Sequence, residues 1–273
     1  MTINCNGKLL DLSSPTVMGI LNLTPDSFYD GGKYADEKSV LSQVKKMLDE
    51  GASIIDLGAY SSRPGAKHIS EKEELERILP IVKLILEKHP TAILSIDTFR
   101  SEVAKQCIKA GAAIINDISA GEMDSDMFTT VAELQVPYCM MHMKGTPQNM
   151  QSNPTYKNVT QDVLYYFSKK VAEARSYGIN DIIIDPGFGF GKTIEHNYAL
   201  LKNLELFKNL DLPLLIGISR KSMIYKSLDC SPEEALNGTT VLNSIAVEKG
   251  AHILRVHDVK EATETIKLIE KIK

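Results

Sequence analysis

The sequence predicts an α/β protein built as a single (β/α)8 barrel. Short apolar runs rich in β-branched residues alternate with longer segments of helical periodicity, and each kind occurs eight times along the 273 residues. No Pro-, Gly- or Ser-rich linker interrupts this alternation, so residues 1–273 are predicted to form one domain. A doubly wound open sheet shows the same alternation and is the competing architecture, but the even count of eight favours the barrel.

The eight predicted strands are short and almost wholly apolar. They cover residues 16–22, 53–58, 92–97, 112–117, 136–142, 181–185, 213–219 and 251–257. Ahead of them, residues 2–5 and 8–12 alternate in the way that strands do. We expect these two segments to form a small β ribbon that closes the bottom of the barrel.

The predicted helices lie between the strands and carry start and stop signals. They lie near residues 37–50, 71–88, 100–110, 123–134, 158–177, 194–209, 232–249 and 259–272. Ser70 followed by Glu73 predicts a capping box, and Pro232 is predicted to occupy the first position of a helix. Four helices are followed by a glycine in the usual C-terminal cap position: Gly51, Gly111, Gly178 and Gly250.

The composition excludes several classes of protein. The chain has 31 Lys and Arg against 35 Asp and Glu, a net charge of −4, which gives no footprint for nucleic acid. No apolar stretch approaches the roughly 20 residues of a membrane span, and no signal peptide is apparent. Its four cysteines are far apart and lack metal-binding spacing, so we expect reduced thiols and a cytoplasmic protein.

Polar residues stand at the carboxyl end of every predicted strand, the edge where barrels and open α/β sheets bind ligands. They are Asn22, Asp56, Asp97, Asn116, Asp117, His142, Asp185, Ser219, Arg220, Lys221, Arg255, His257 and Asp258. One such Asp or Asn alone often caps a turn, but a complete ring predicts a binding site. Arg255 and His257 are two residues apart on a strand, so they share a face that suits an anionic group.

Three connections are longer than a turn requires, and we expect them to close over a substrate. They are residues 23–36, 59–66 and 144–157. Residues 186–193, PGFGFGKT, resemble a phosphate-binding loop, but Pro186 stands where that motif needs glycine. We expect instead that its glycines let the backbone approach a flat ligand, with Phe188 or Phe190 as a wall. The neighbouring Met140, Met141 and Met143 are expected to pack the barrel interior and its mouth.

The motifs together resemble the dihydropteroate synthase family over essentially the whole chain. The resemblance rests on residues 17–32 (VMGILNLTPDSFYDGG), 51–58 (GASIIDLG), 62–65 (SRPG), 95–98 (SIDT), 115–119 (INDIS), 141–145 (MHMKG), 185–191 (DPGFGFG), 219–222 (SRKS) and 255–257 (RVH). One departure stands out. The family often has an acidic residue where this chain has Tyr60, while Ser62 keeps the hydroxyl of the usual Thr.

The resemblance implies a TIM barrel that joins (7,8-dihydropterin-6-yl)methyl diphosphate to 4-aminobenzoate and releases diphosphate. It also implies Mg²⁺ as cofactor, a homodimer and a target of sulfonamides. Two other functions compete with it. A pterin-dependent methyltransferase could share Asp97, Asn116 and Asp185 but has no need of residues 63–65 or 219–222. A non-catalytic pterin-binding paralogue would have lost the long loops, which are whole here.

The resemblance also implies roles for individual residues. The catalytic residues would be Asp97, Lys221 and Arg63. The pterin would be bound by Asp97, Asn116, Asp185, Lys221, Met141 and Phe190. Its diphosphate would be bound by Ser62, Arg63, Arg255, His257 and Asn22, with Asn22 also ligating Mg²⁺. The 4-aminobenzoate would be bound by Ser222, Phe28, Pro64, Phe190 and Lys221.

These roles agree with the chemistry of the side chains. A pterin presents an edge of amino, N–H, ring-nitrogen and carbonyl groups, for which Asp185 is an acceptor and Lys221 a donor. Asp97 would stabilise positive charge on the pterin methylene as diphosphate departs. Arg63, Arg255 and His257 would supply donors to the diphosphate.

Overall fold

A computed structural model of the chain describes residues 1–23, 33–61 and 68–272, and for residues 33–36 it describes the backbone alone. An antiparallel pair comes first, β1 (Thr2–Cys5) and β2 (Lys8–Asp11). Eight parallel strands then form one sheet within the described residues. They are β3 (Thr16–Asn22), β4 (Ile54–Gly58), β5 (Ile93–Asp97), β6 (Ile114–Asp117), β7 (Tyr138–Met141), β8 (Ile182–Asp185), β9 (Leu215–Ile216) and β10 (Ile253–Val256).

The sheet curls so that its two ends meet, which confirms the barrel over the open sheet. The strand order is β8-β7-β6-β5-β4-β3-β10-β9. The first and last strands of that order are joined by a parallel bridge between Ile184 and Leu214. There the N–H of Ile184 donates to the carbonyl of Pro213 at 3.0 Å. A doubly wound sheet would leave these edges apart.

The helices surround the barrel. They are α1 (Lys33–Asp49), α2 (Glu71–Lys88), α3 (Ser101–Lys109), α4 (Met127–Leu134), α5 (Val159–Ser176), α6 (Ile194–Lys202), α7 (Ser222–Tyr225), α8 (Leu236–Glu248) and α9 (Val259–Ile269). Half of the predicted capping box of α2 is present, since Ser70 Oγ accepts from the N–H of Glu73 at 3.1 Å. The Glu73 carboxylate instead accepts from Arg77 Nη2 at 2.5 Å. Among the described residues, every helix falls short of the length and hydrophobicity that crossing a membrane requires.

Two helix predictions were wrong in detail. The segment 194–209 breaks at Asn203 into α6 and a 3-10 helix (Leu204–Leu210). Pro232 lies in a turn, and α8 begins only at Leu236. That turn is closed locally, because Glu234 accepts from the N–H of Ser231 at 2.9 Å.

The floor of the barrel is an apolar layer. The side chains that pack there are Ile3, Cys5, Leu12, Met18, Ile54, Ala113, Ile114, Cys139, Ile183, Leu215 and Ile253. The first three belong to the ribbon or directly follow it, so its predicted place at the bottom is confirmed. Successive strand residues point to opposite faces, so the residue two positions after each floor residue of a barrel strand also points inward. These floor residues are Met18, Ile54, Ile114, Cys139, Ile183, Leu215 and Ile253. This second layer is where the polar groups enter.

Asp117 is a strand-end carboxylate that faces away from the barrel interior. Its oxygens accept from the N–H and hydroxyl of Ser119, both at 2.7 Å, from the N–H of Gly121 at 2.8 Å and from the Tyr138 hydroxyl at 2.6 Å. Burial raises the pKa of Asp117 although these donors oppose the shift. Asp117 therefore holds the turn after β6 and takes no part in the site.

Replacing Tyr138 with phenylalanine tests this structural role. Tyr138→Phe removes a buried donor from Asp117, so the free energy of unfolding should fall by about 1–3 kcal/mol, measured by urea denaturation. Tyr165→Phe is the matched control, because the Tyr165 side chain is 62% exposed. A loss no larger than in the control would show that Asp117 does not depend on this hydroxyl.

Candidate active site

A single guanidinium lies between two carboxylates inside the barrel. Arg255 Nε donates to Asp56 Oδ2 at 2.7 Å, and Arg255 Nη2 donates to Asp97 Oδ2 at 2.7 Å. These contacts join β10 to β4 and β5. Asp56 is fully buried, whereas the Asp97 side chain keeps 21% of its surface exposed. Asp97 is therefore the carboxylate of the pair that faces the open end of the barrel.

Asn116 extends this cluster to β6. Its side-chain N–H donates to Asp56 Oδ2 at 3.1 Å. The other oxygen, Asp56 Oδ1, is buried and has no hydrogen-bond partner within the described residues. From the sequence, Asp56 is predicted only to end a strand, with no role of its own. The structure makes it the common acceptor for Arg255 and Asn116.

The charges in this cluster shift one another's titration. Burial raises the pKa of Asp97 to about 7, with Arg255 opposing the shift and Asp56 adding to it. Burial alone would lower the pKa of Arg255, but the carboxylates of Asp56 and Asp97 raise it above its ordinary value. The guanidinium thus stays charged, while Asp97 can change its charge near neutral pH.

Asp185, at the end of β8, and Lys221, in the loop after β9, bring two further charges to this end of the barrel. Asp185 Oδ1 accepts from the N–H of Gly187 at 2.8 Å, and Lys221 Nζ donates to the carbonyl of Phe188. Burial raises the pKa of Asp185 against the influence of Lys221. Burial also lowers the pKa of Lys221 to about 8, against the influence of Asp185.

Gly217 leaves a space that these groups surround. A Cβ built on Gly217 would lie 3.8 Å from Lys221 Nζ, 3.9 Å from Arg255 Cβ and 3.9 Å from Asp185 Oδ2. These are ordinary van der Waals distances, so the side chains flank Gly217 without filling the position. The side chains of Lys221, Asp185 and Arg255 therefore converge on the space beside Gly217.

Apolar side chains line the mouth above the polar cluster. They are Phe99, Ile118, Met141, Met143 and Met150, with Tyr60, Met123 and Phe190 packed against them. Lys221 Nζ lies 4.8 Å from the centre of the Phe190 ring. Phe188, by contrast, is fully buried in the core between sheet and helices. Of the two alternatives for an aromatic wall, Phe188 is excluded by its burial in the core and Phe190 lies at the mouth.

Two glycines of the 186–191 stretch are required by a contact within the protein. Gly187 and Gly191 both have positive φ, and a Cβ on either would overlap a carbonyl oxygen, of His142 and Lys144 respectively. At these two positions the absent side chain lets two loops of the protein touch, and the approach of this backbone to a flat ligand stays a prediction. His142 is likewise turned inward, with its Nδ1 2.9 Å from Lys192 Nζ.

Two contacts fix the loop after β9 against the end of β10. Ser219 Oγ lies 3.1 Å from His257 Nδ1. Arg220 Nε donates to Asp258 Oδ2 at 2.9 Å, and Arg220 Nη2 donates to Asp258 Oδ1 at 2.7 Å. Arg220 adopts φ = 55°, a left-handed conformation that is costly for a side chain with a Cβ. The paired contacts hold this backbone and so set the position of Lys221.

Tyr60, the residue that departs from the family pattern, joins three segments at the mouth. Its hydroxyl lies 3.2 Å from His68 Nδ1 and accepts from Gln148 Nε2 at 3.2 Å. Its ring packs edge-on against Phe99, with centroids 5.0 Å apart. Tyr60 thus links the connection after β4 to the connection after β7.

The remaining predicted residues fall into two groups. Asn22 is half-buried at the end of β3, in register with Gly58, which is itself in register with Asp97. Ser222 begins α7, directly after Lys221. The predicted positions that lie outside the described residues are Phe28, Ser62, Arg63 and Pro64.

Comparison with known proteins agrees with this geometry. Residues 18–257 match the family described as pterin binding enzyme. The chain is 44% identical to dihydropteroate synthase of Escherichia coli K12, covering 99% of this chain and 96% of that protein. It superposes on Yersinia pestis dihydropteroate synthase, solved with a sulfonamide drug complex, with a TM-score of 0.93 and 41% identity. The superposition covers 100% of this chain and 99% of that one. A Xanthomonas albilineans dihydropteroate synthase solved with 4-aminobenzoic acid gives a TM-score of 0.93 and 35% identity, covering 99% of this chain and 97% of that one.

Replacing Gly217 with alanine tests whether the space beside this residue receives a ligand. Since the added methyl meets nothing closer than 3.8 Å, the melting temperature of Gly217→Ala should stay within a degree or two of wild type. The same methyl would occupy space that a flat ligand needs, so pterin affinity should fall by about tenfold or more. Calorimetric titration with pterin measures this, and unchanged affinity would show that the ligand lies elsewhere.

Proposed function

Because this chain belongs to the family of pterin-binding enzymes and has the function of a dihydropteroate synthase, we propose that the polar cluster inside its barrel carries out that reaction. The enzyme is a transferase of folate biosynthesis. It transfers the (7,8-dihydropterin-6-yl)methyl group from the diphosphate oxygen to the amine nitrogen of 4-aminobenzoate. The carbon–oxygen bond breaks, diphosphate leaves, a carbon–nitrogen bond forms and the amine loses a proton. The observation that carries the proposal is Arg255 held between Asp56 and Asp97, beside Asp185 and Lys221.

We propose that Asp185, Asn116 and Lys221 form hydrogen bonds with the edge of the pterin. The carboxylate of Asp185 accepts from the amino and N–H groups, and Asn116 can both donate and accept beside it. Lys221 donates to the ring nitrogen and the carbonyl. Met141 and Phe190, both part of the apolar mouth, cover the flat faces of the ring system. The pterin edge would lie in the space beside Gly217, which Lys221 and Asp185 flank.

We propose that Asp97 stabilises the positive charge that develops on the pterin methylene as its bond to diphosphate breaks. A fixed carboxylate near developing positive charge lowers the energy of the transition state, and its effect is largest where water is excluded. Arg255 anchors one oxygen of Asp97. The bond holds the carboxylate in place before the substrate arrives, so little reorganisation is needed during the reaction.

Cations and hydroxyls are proposed to bind the diphosphate. They include Arg255, whose Nε and Nη2 are used within the protein, together with His257, Ser62 and Arg63. Lys221 and Arg63 complete the proposed catalytic set with Asp97. The 4-aminobenzoate is proposed to lie against Ser222, Phe28, Pro64, Phe190 and Lys221. Sulfonamides are proposed to inhibit this chain by occupying the same subsite.

Mg²⁺ is proposed as the cofactor, held by Asn22 together with oxygens of the diphosphate. The described residues hold no group of three or more His, Cys, Asp or Glu side chains arranged for a metal ion. Mg²⁺ commonly uses one or two protein oxygens and completes its shell with phosphate and water, so the amide oxygen of Asn22 fits that need. Bound there, the ion would neutralise negative charge on the leaving diphosphate.

We also propose a homodimer and a cytoplasmic location. Leu228 and Val241, near α7 and on α8, are apolar side chains that are 55% and 50% exposed, and a second copy would cover them. Sedimentation should then give twice the mass of the chain, whereas a single-chain mass would contradict the dimer.

The four cysteines are free thiols, as expected in a reducing compartment.

The direct test of the function uses the purified protein with both substrates and Mg²⁺. Dihydropteroate and diphosphate should appear in equal amounts. A protein that binds pterin but forms neither product would contradict the proposed reaction and favour a non-catalytic pterin-binding protein.

Asp185→Asn should weaken pterin binding, since an amide cannot accept from both donors of the pterin edge. Losing a charged acceptor in an enclosed site costs roughly 1.5–3 kcal/mol, which is about 10- to 150-fold in affinity. Calorimetry measures the loss. The matched control is Asp181→Asn at the opposite end of the barrel, where Asp181 Oδ2 accepts from the N–H of Asn4 at 2.9 Å. Equal affinities in the two variants would reject the assignment.

Asp97→Asn should lower kcat by on the order of 10²–10³ while pterin affinity changes much less, because the carboxylate acts on charge that exists only in the transition state. Burial raises the pKa of Asp97 to about 7, so protonation below that pH should lower kcat/KM in the wild type. The variant cannot titrate there and should lose this acidic limb. If kcat/KM still falls at low pH in Asp97→Asn, the titration belongs to another group.

A further inference from the structure

Lys192 is a buried lysine that the proposed reaction does not use. Its residue surface is only 3% exposed. Four acceptors surround its Nζ: His142 Nδ1 at 2.9 Å, the carbonyl of Gly187 at 2.9 Å, the carbonyl of Phe190 at 3.0 Å and the carbonyl of His142 at 3.2 Å. No carboxylate within the described residues forms an ion pair with it.

The surroundings of Lys192 satisfy an ammonium group. An ammonium has three N–H donors and no acceptor, so three bonds to these four acceptors leave no donor unpaired. Burial and the neighbouring charge of Lys192 lower the pKa of His142 to about 2, so its neutral ring can accept at Nδ1. Burial lowers the pKa of Lys192 as well, and Asp185 opposes that shift. Removing the ammonium would leave buried carbonyls without their donor, which is costly.

The bonds of Lys192 tie together two loops that follow neighbouring strands. His142 begins the connection after β7, while Gly187 and Phe190 belong to the connection after β8. The lack of side chains at Gly187 and Gly191 lets these loops touch. Lys192 therefore braces the backbone of residues 187–190 from inside the protein.

The braced backbone bonds to Asp185 and Lys221, the two charged groups that flank Gly217. The N–H of Gly187 donates to Asp185 Oδ1 at 2.8 Å. The carbonyl of Phe188, on the next residue, accepts from Lys221 Nζ. A shift of residues 187–188 would therefore move the carboxylate and the ammonium relative to each other.

We propose that Lys192 is a positioning residue for pterin recognition, which fixes the backbone of residues 187–190 so that Asp185 and Lys221 keep the spacing that the pterin edge requires. The inference rests on the proposed function, because the pterin is the ligand it serves. The Gly-Lys-Thr sequence that resembles a phosphate loop is thus an internal brace. A phosphate could not reach Nζ without displacing three hydrogen bonds.

The test compares three variants by calorimetry with pterin and by steady-state kinetics. Lys192→Met keeps the length and removes every donor, while Lys192→Gln keeps a short donor group. Lys144→Met is the matched control, because Lys144 is an exposed lysine of the adjoining loop that contacts the carbonyl of Thr155 and the ring of Tyr156.

In Lys192→Met, pterin Kd and the KM for pterin diphosphate should rise about tenfold or more, since a buried polar network loses its central donor. The kcat of Lys192→Met at saturation should change much less. The Kd and KM of Lys192→Gln should lie between those of wild type and Lys192→Met, and those of Lys144→Met should match wild type. Hydrogen exchange at the amides of Gly187 and Gly189 should quicken in Lys192→Met alone. A uniform loss of kcat without change in Kd or in exchange would overturn the inference.

A measurement on the wild-type protein covers the case in which Lys192→Met does not fold. In protein labelled with ¹⁵N-lysine, the Lys192 ammonium should give a slowly exchanging signal, identified by its proximity to His142, and pterin should shift it. Absence of a protected lysine signal, or a signal that pterin leaves unchanged, would overturn the inference. Wild-type protein that fails to bind pterin at all would instead contradict the proposed function.

Discussion

The site depends on one guanidinium shared by two carboxylates inside the barrel. Arg255 bonds Asp56 and Asp97 at the same distance, 2.7 Å, and it does so above a floor of apolar side chains. Burying any one of these charges alone would be prohibitive, and removing one partner of a buried pair typically costs about 3–5 kcal/mol. The three groups therefore have to be retained together. Their mutual dependence fixes β4, β5 and β10 relative to one another at the end of the barrel that opens to the ligand.

The layered interior explains why such charges can be buried at all. The lowest inward-facing layer is apolar and is closed by the ribbon, so it supplies the packing that holds the strands. The layer above it carries Asp56, Asn116, Asp185 and Arg255, each bonded to another group of the site or to its loop. Because strand side chains alternate, both layers come from the same strands. Stability and recognition are thus separated along the barrel axis rather than between domains.

The strand ends, the barrel and the ribbon could be predicted because each follows from a period in the sequence. Alternation also explains why Asn116 enters the site and Asp117 leaves it, although both end the same strand. Beyond the strand ends, the two-residue alternation no longer predicts which side chains face the site. Phe188 and Phe190 are separated by a glycine with positive φ, so nothing in their spacing shows which one enters the core. Asp56 contacts Asn116 and Arg255, and Lys192 contacts His142. These partners are distant in sequence, and only the folded structure brings them together.

The central claim is that Asp97, held by Arg255, stabilises a pterin methylene cation that forms before the amine attacks. Single-turnover rates across a series of ring-substituted 4-aminobenzoates, measured at saturation, test it most directly. The account predicts that the rate depends only weakly on the nucleophilicity of the amine, since breaking of the carbon–oxygen bond limits the reaction. A steep dependence on nucleophilicity would contradict it, and Asp97 would then serve only to orient the pterin.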